Sequence, residues 1–138
     1  GGDHLSRKPM RKIEGFTLTE LLIVIVIIGI MVAFAAPAFV VTKERALDRE
    51  AKVSLVLIRA AERIYKMEYG NYYESSLISN INSYLKLSLP SMGSKWIYRV
   101  DNTATGTIQG TRGGTGGRTW ELISSGASED PVCTGSCL

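Results

Sequence analysis

The residue types that do most protein chemistry are scarce in this chain and badly spaced for it. Its sole histidine, His4, lies near the beginning, and its two cysteines, Cys133 and Cys137, lie at the other end. No His/Cys/carboxylate group with zinc spacing can be assembled from these, and no Ser-His or Cys-His pair is in view. The stretch GTRGGTGGR, residues 110–118, is glycine-rich like a phosphate-binding loop. It lacks the Gly-Lys-Ser/Thr ending and the strand-to-helix context, so it reads as a loose hairpin loop. No enzyme activity, metal or cofactor is expected. What stands out instead is one acid, Glu20, at the start of a long uncharged run.

Residues 21–42 carry no charge. A bilayer-spanning helix needs ~20 mostly apolar residues, so this run is long enough. A carboxylate inside such a segment costs ~2.5 to 3.5 kcal/mol, and an acid there needs a partner or a purpose. Thr17 and Glu20 fit a T-x-x-E capping box, which would make the glutamate a helix start. Three readings of the N-terminus compete. A cleaved secretory signal would use the basic residues Arg7, Lys8, Arg11 and Lys12, an apolar segment over residues 21–32 and a cut near Ala33, Phe34 and Ala35. Against it, the apolar character continues through Val41. An uncleaved anchor asks nothing of Glu20. A cut between Gly15 and Phe16 leaves the apolar run attached to the mature chain.

The basic leader RKIEG, then FTLTELL, then Gly29 and Pro37 within the apolar run, closely resembles the N-terminus of type IV prepilins and the related pseudopilins of type II secretion. The resemblance implies that a membrane peptidase, the prepilin peptidase, cuts after Gly15 and methylates the new N-terminal residue, Phe16. It makes Glu20 the family's glutamate and Pro37 its helix-kinking proline. Thr19 departs from the aliphatic residue more usual there. A start at Met10 would give the short leader MRKIEG, with residues 1–9 upstream of the precursor. The cut creates a positive amine on Phe16, which Glu20 of a neighbouring copy can neutralise. Two charges that are unfavourable alone become tolerable together, and the pair sets the register of addition. Gly29 and Pro37 weaken the helix between them, and the resemblance implies bending or unwinding there on assembly. Ala33, Ala35, Ala36 and Ala38 allow close helix approach.

The organisation follows: a leader over residues 1–15, a transmembrane and filament-core helix over residues 16–42, its amphipathic continuation over residues 43–69, and a β-rich head over residues 70–138. The expected fold is α+β and type IV pilin-like, a long helical spine against a small antiparallel sheet. In residues 43–69, Leu47, Ala51, Ile58, Ala61 and Tyr65 recur at helical spacing, interrupted by Ser54. Asp48/Lys52 and Glu62/Lys66 form four-apart pairs on a solvated face. The helix should stop at Gly70, and Ser76 should cap a short helix through Leu77, Ile81, Tyr84 and Leu85. Alternation around Trp96, Ile108 and Trp120 gives two or three strands.

The net charge of +3 is concentrated before Gly15, where the balance is +2, and falls to zero from Gly70 onward. That pattern suits an N-terminus held in the cytoplasm and argues against nucleic acid as a partner, Arg112 and Arg118 being the residues that would touch it. Family members often carry a C-terminal disulfide loop, which implies a bond between Cys133 and Cys137. Acidic loops of some pseudopilins bind calcium; Glu129 and Asp130 read more simply as a solvated tail. The resemblance implies a subunit held in the bacterial inner membrane by one helix, head outside the cytoplasm, until an inner-membrane assembly platform adds it to copies of itself. The product is a surface pilus or, alternatively, a periplasmic pseudopilus; a DNA-binding minor pilin is a lesser alternative.

Overall fold

The computed structural model describes residues 15–91, 94–113 and 117–138; the leader up to Glu14, and with it the alternative start at Met10, lies outside them. The elements in chain order are α1 (Leu18–Tyr69), α2 (Ile78–Tyr84), β1 (Trp96–Asp101), β2 (Thr107–Arg112), β3 (Arg118–Ile123) and β4 (Val132–Gly135). The chain divides into two compact units with the boundary between Val40 and Val41.

In the first unit α1 is exposed at every residue from Leu18 to Val40. The helix is long and apolar enough to cross a membrane. It runs through Gly29 and contains Pro37, which supplies no backbone N–H to the helical ladder. A Cβ built at Gly29 would meet nothing within 4 Å, so nothing among the described residues requires glycine at that position.

The second unit begins at Val41 and is α+β. Here α1 buries Asp48, Ala51, Ser54, Leu55, Ile58, Arg59 and Glu62. The three- and four-residue spacing predicts this face, with two corrections. Leu55 is fully buried and belongs to the core, and Ser54 lies within the face instead of breaking it. Leu47, Ala61 and Tyr65 pack at its margin. The helix ends at Tyr69 as expected: Gly70 takes a φ of +87°, and its amide donates to the Lys66 carbonyl at 2.8 Å.

Among the described residues four antiparallel strands follow in the order β1-β2-β3-β4, where the sequence pattern predicts two or three. β4 has four residues and no clean alternation of apolar and polar side chains, so it carries little strand signal. Residues 110–112 and 118, expected in a loose loop, are strand instead. Gly110 pairs with Tyr98 on one side and Trp120 on the other, and a Cβ there would come within 3.1 Å of the Tyr98 ring. Its glycine makes room for a buried aromatic and has no role in flexibility. The inward row Val100, Ile108, Leu122 lies in register across three strands, and this face covers Ala51, Leu55 and Ile58 of α1.

α2 starts without a side-chain cap. Leu77 occupies the cap position, and Ser75, not Ser76, contributes a hydroxyl, accepting from the Leu77 amide at 3.1 Å. Ser75 also bridges to Val100 along the free edge of β1.

Candidate functional site

The first candidate site is the start of α1. Thr17 caps the helix: its hydroxyl accepts from the Glu20 amide at 3.2 Å, and its carbonyl accepts from the Leu21 amide at 3.2 Å. Only one half of the capping box is made. The bond uses the backbone of Glu20, which any residue would supply, and among the described residues no hydrogen bond or ion pair reaches its carboxylate. An acid in the first turn gains ~0.3 to 1 kcal/mol from the helix dipole. That is less than the ~2.5 to 3.5 kcal/mol an intramembrane acid costs, so the helix start does not account for the charge. Phe16 is 76 % exposed beside it. Gly29 and Pro37 lie at successive points along the same exposed helix, and the fold does not gather them with Glu20 into one cluster.

In the second unit the charged residues are arranged otherwise than the local helical spacing suggests. Arg118 of β3 donates to Asp48 at 2.6 Å and to Glu44 at 2.8 Å, and Arg112 of β2 donates to Glu44 at 3.0 Å. The Trp120 indole N–H also donates to Asp48, at 3.3 Å, and the Trp96 indole N–H donates to the Leu47 carbonyl at 2.9 Å. Asp48 therefore does not pair with Lys52, whose ammonium instead lies 4.2 Å from the centre of the Trp120 ring. Burial opposes the charge of Arg118, but its bonds to Glu44 and Asp48 prevail and hold the guanidinium above its ordinary range. The bond to Arg118 holds Glu44 below the usual carboxylate range. Arg112 and Arg118, the residues named as able to touch nucleic acid, are thus committed to fastening the sheet to α1.

Glu62 is fully buried. One oxygen accepts from the Tyr73 amide at 2.9 Å, and burial pushes its pKa up to about 7. Its expected partner Lys66 sits 4.4 Å from the centre of the Tyr72 ring. Both four-apart pairs are thereby replaced by contacts with aromatic faces.

Cys133 and Cys137 form a disulfide. It closes a small ring on β4, with Cys133 opposite Trp120 in the strand register. Glu129 and Asp130 are exposed, and among the described residues no group of three His, Cys, Asp or Glu side chains comes together to hold a metal.

Comparison with known proteins bears on this N-terminal site. A family model described as the prokaryotic N-terminal methylation motif matches residues 10–36. The chain is 38% identical over 65 residues to type II secretion system core protein G of Vibrio cholerae, covering 47% of this chain and 44% of that protein. It is 36% identical over 91 residues to type IV major pilin protein PilA of Myxococcus xanthus, covering 66% and 38% respectively. It is 29% identical over 111 residues to the type IV wide pilus major component PilA4 of Thermus thermophilus, covering 80% and 81%. The chain spans less than half the length of the first two. No solved structure matches it. The resemblance read from RKIEG and FTLTELL is borne out by the matching motif and by relatives named as pilins and as secretion core proteins.

Proposed function

We propose that this chain is a pilin: a precursor cut between Gly15 and Phe16, methylated on Phe16, and polymerised into a type IV pilus-like filament. The observation that carries the reading is the Glu20 carboxylate, which sits at the head of a bare apolar helix while the cap beneath it is made by Thr17 and backbone alone. A buried acid without a cation is unstable in a membrane or a helical bundle, and the amine freed on Phe16 of a neighbouring copy supplies one. Gly29, where an added Cβ would meet nothing within 4 Å among the described residues, and Pro37 form the weak segment that adapts as the copies pack. Residues 16–42 build the filament core, residues 43–69 carry the head, and residues 70–138 face outward. The prepilin peptidase and an inner-membrane assembly platform act on the subunit while it is held in the inner membrane, head outside the cytoplasm.

A pilus is favoured over the periplasmic pseudopilus of type II secretion by the extent of the likeness. It runs over 80% of this chain and 81% of a pilus component, against 47% and 44% for core protein G. The discriminating experiment images cells with and without the chain. Loss of long surface fibres supports the pilin; a secretion defect with fibres intact supports the pseudopilus and overturns the first reading.

A further inference from the structure

Glu62 combines three features that rarely coexist without a role. Its side chain is fully buried. One oxygen, Oε2, holds the Tyr73 amide and so ties down the segment that leaves α1. The other, Oε1, is buried with no hydrogen-bond partner. A buried carboxylate with an orphaned oxygen is tolerable when protonated and strongly unfavourable when charged, unless a cation reaches it.

The cations within a turn are few and differ in freedom. Arg59, on the same face of α1, is anchored through Nη2 to the Gly126 carbonyl at 2.6 Å, while its buried Nε has no hydrogen-bond partner among the described residues. Arg63 donates to the Ser124 carbonyl at 3.1 Å and to Gly126 at 3.3 Å. Lys66, four residues after Glu62 and so on the same side of the helix, has its ammonium over the Tyr72 ring, where it makes no hydrogen bond or ion pair among the described residues. Facing Glu62 from the segment after the helix is Tyr73, whose own phenol is raised chiefly by burial. Tyr73 is flanked in turn by Tyr65 of α1 at 5.5 Å and Tyr84 of α2 at 4.8 Å, centroid to centroid.

We propose that Glu62, Lys66 and Tyr72 form a two-position proton latch: with Glu62 protonated, Lys66 rests on the Tyr72 ring, and when Glu62 ionises Lys66 turns inward to pair with it and leaves Tyr72. Leaving an aromatic face, even one as buried as that of Tyr72 at 5% exposure, costs less than holding a lone charged carboxylate in the interior, so the exchange is favourable once the proton is lost. Release of Tyr72 loosens the turn at Gly106, because the Tyr72 ring fills the place of the side chain Gly106 lacks, where a Cβ would come within 2.7 Å of it. Burial of Glu62 places the change near pH 7. The latch lies within the second unit and stands independently of filament formation.

The test is a titration of the full chain in detergent micelles from pH 5.5 to 8.5, following by NMR the Glu62 carboxyl carbon, the Lys66 ε-methylene protons and the Tyr72 ring. The expected result is a shared midpoint for all three in wild type, with the Lys66 protons losing their ring-current shift as pH rises. In Glu62→Gln those protons stay shifted across the range, and in Lys66→Met the Glu62 midpoint moves upward. Lys66 signals that stay flat in wild type, that move equally in Glu62→Gln, or that stay still while the Arg59 Nε signal follows Glu62, each overturn the latch.

Discussion

Arg118 and Asp48, 70 residues apart in sequence, meet at 2.6 Å between β3 and α1. Both side chains are nearly buried, with 7% and 11% exposure. Breaking one partner of such a pair leaves an uncompensated charge and costs ~3 to 5 kcal/mol. Arg118→Leu should therefore lower the denaturation midpoint strongly, and adding Asp48→Leu should restore much of the loss. Denaturant titration of the full chain in micelles checks this; a near-wild-type midpoint for Arg118→Leu would show that the pair does not fasten the sheet.

Glu20 and Thr17 should separate by phenotype. Thr17→Ala removes the cap and costs ~0.5 to 2 kcal/mol of helix stability, yet leaves the carboxylate, so filaments should persist. Glu20→Gln keeps the backbone bond to Thr17 and should abolish them. Counting fibres per cell decides the matter, and equal assembly of Glu20→Gln and wild type would refute the charge pairing.

Gly29 and Gly106 should respond oppositely to alanine. At Gly29 a Cβ is unopposed, so Gly29→Ala gains ~1 kcal/mol of helix propensity and raises helicity by circular dichroism; by stiffening the segment it should also reduce fibre number. At Gly106, with a φ of +61° and Tyr72 within 2.7 Å of the added atom, Gly106→Ala meets both backbone strain and overpacking. A loss of ~2 to 4 kcal/mol is expected from the two together.

Glu62 gives the second unit a pH dependence of definite sign. Its carboxyl binds a proton more tightly folded, at about 7, than at the ordinary 4.5. The stabilisation is complete below 4.5 and is lost as pH rises through 7, amounting to roughly 3 kcal/mol across the window. Glu62→Gln should flatten that slope. Midpoints of denaturation measured between pH 4.5 and 8 test it, and an unchanged slope in the variant would assign the effect to another group.

The N-terminal motif was legible because its signal is contiguous: Gly15, Phe16, Glu20 and Pro37 lie on or next to the one stretch, residues 10–36, that the family model matches. The head was less so, because its decisive contacts join distant segments. Local spacing favours Asp48 with Lys52 and Glu62 with Lys66, but folding brings Arg118 and the tyrosine-rich turn against those acids, and burial makes the distant partners stronger. Tryptophan and tyrosine faces then take up the displaced lysines. Glycine misled for a related reason. Gly110 looks like loop, yet its lack of a side chain serves Tyr98 across the sheet, a requirement that no neighbour in sequence announces.

The small ring closed by Cys133 and Cys137 lies on the outer border of the sheet. Exposed strand borders invite other chains to add strands. β4 is four residues long, turns off at Gly135 with a φ of +92°, and folds back through a bond from the Cys137 amide to the Gly135 carbonyl at 2.9 Å. At the opposite border, Ser75 is paired with Val100. A short, turned-off strand at one border and a bridged residue at the other leave little straight backbone on which a second copy could extend the sheet.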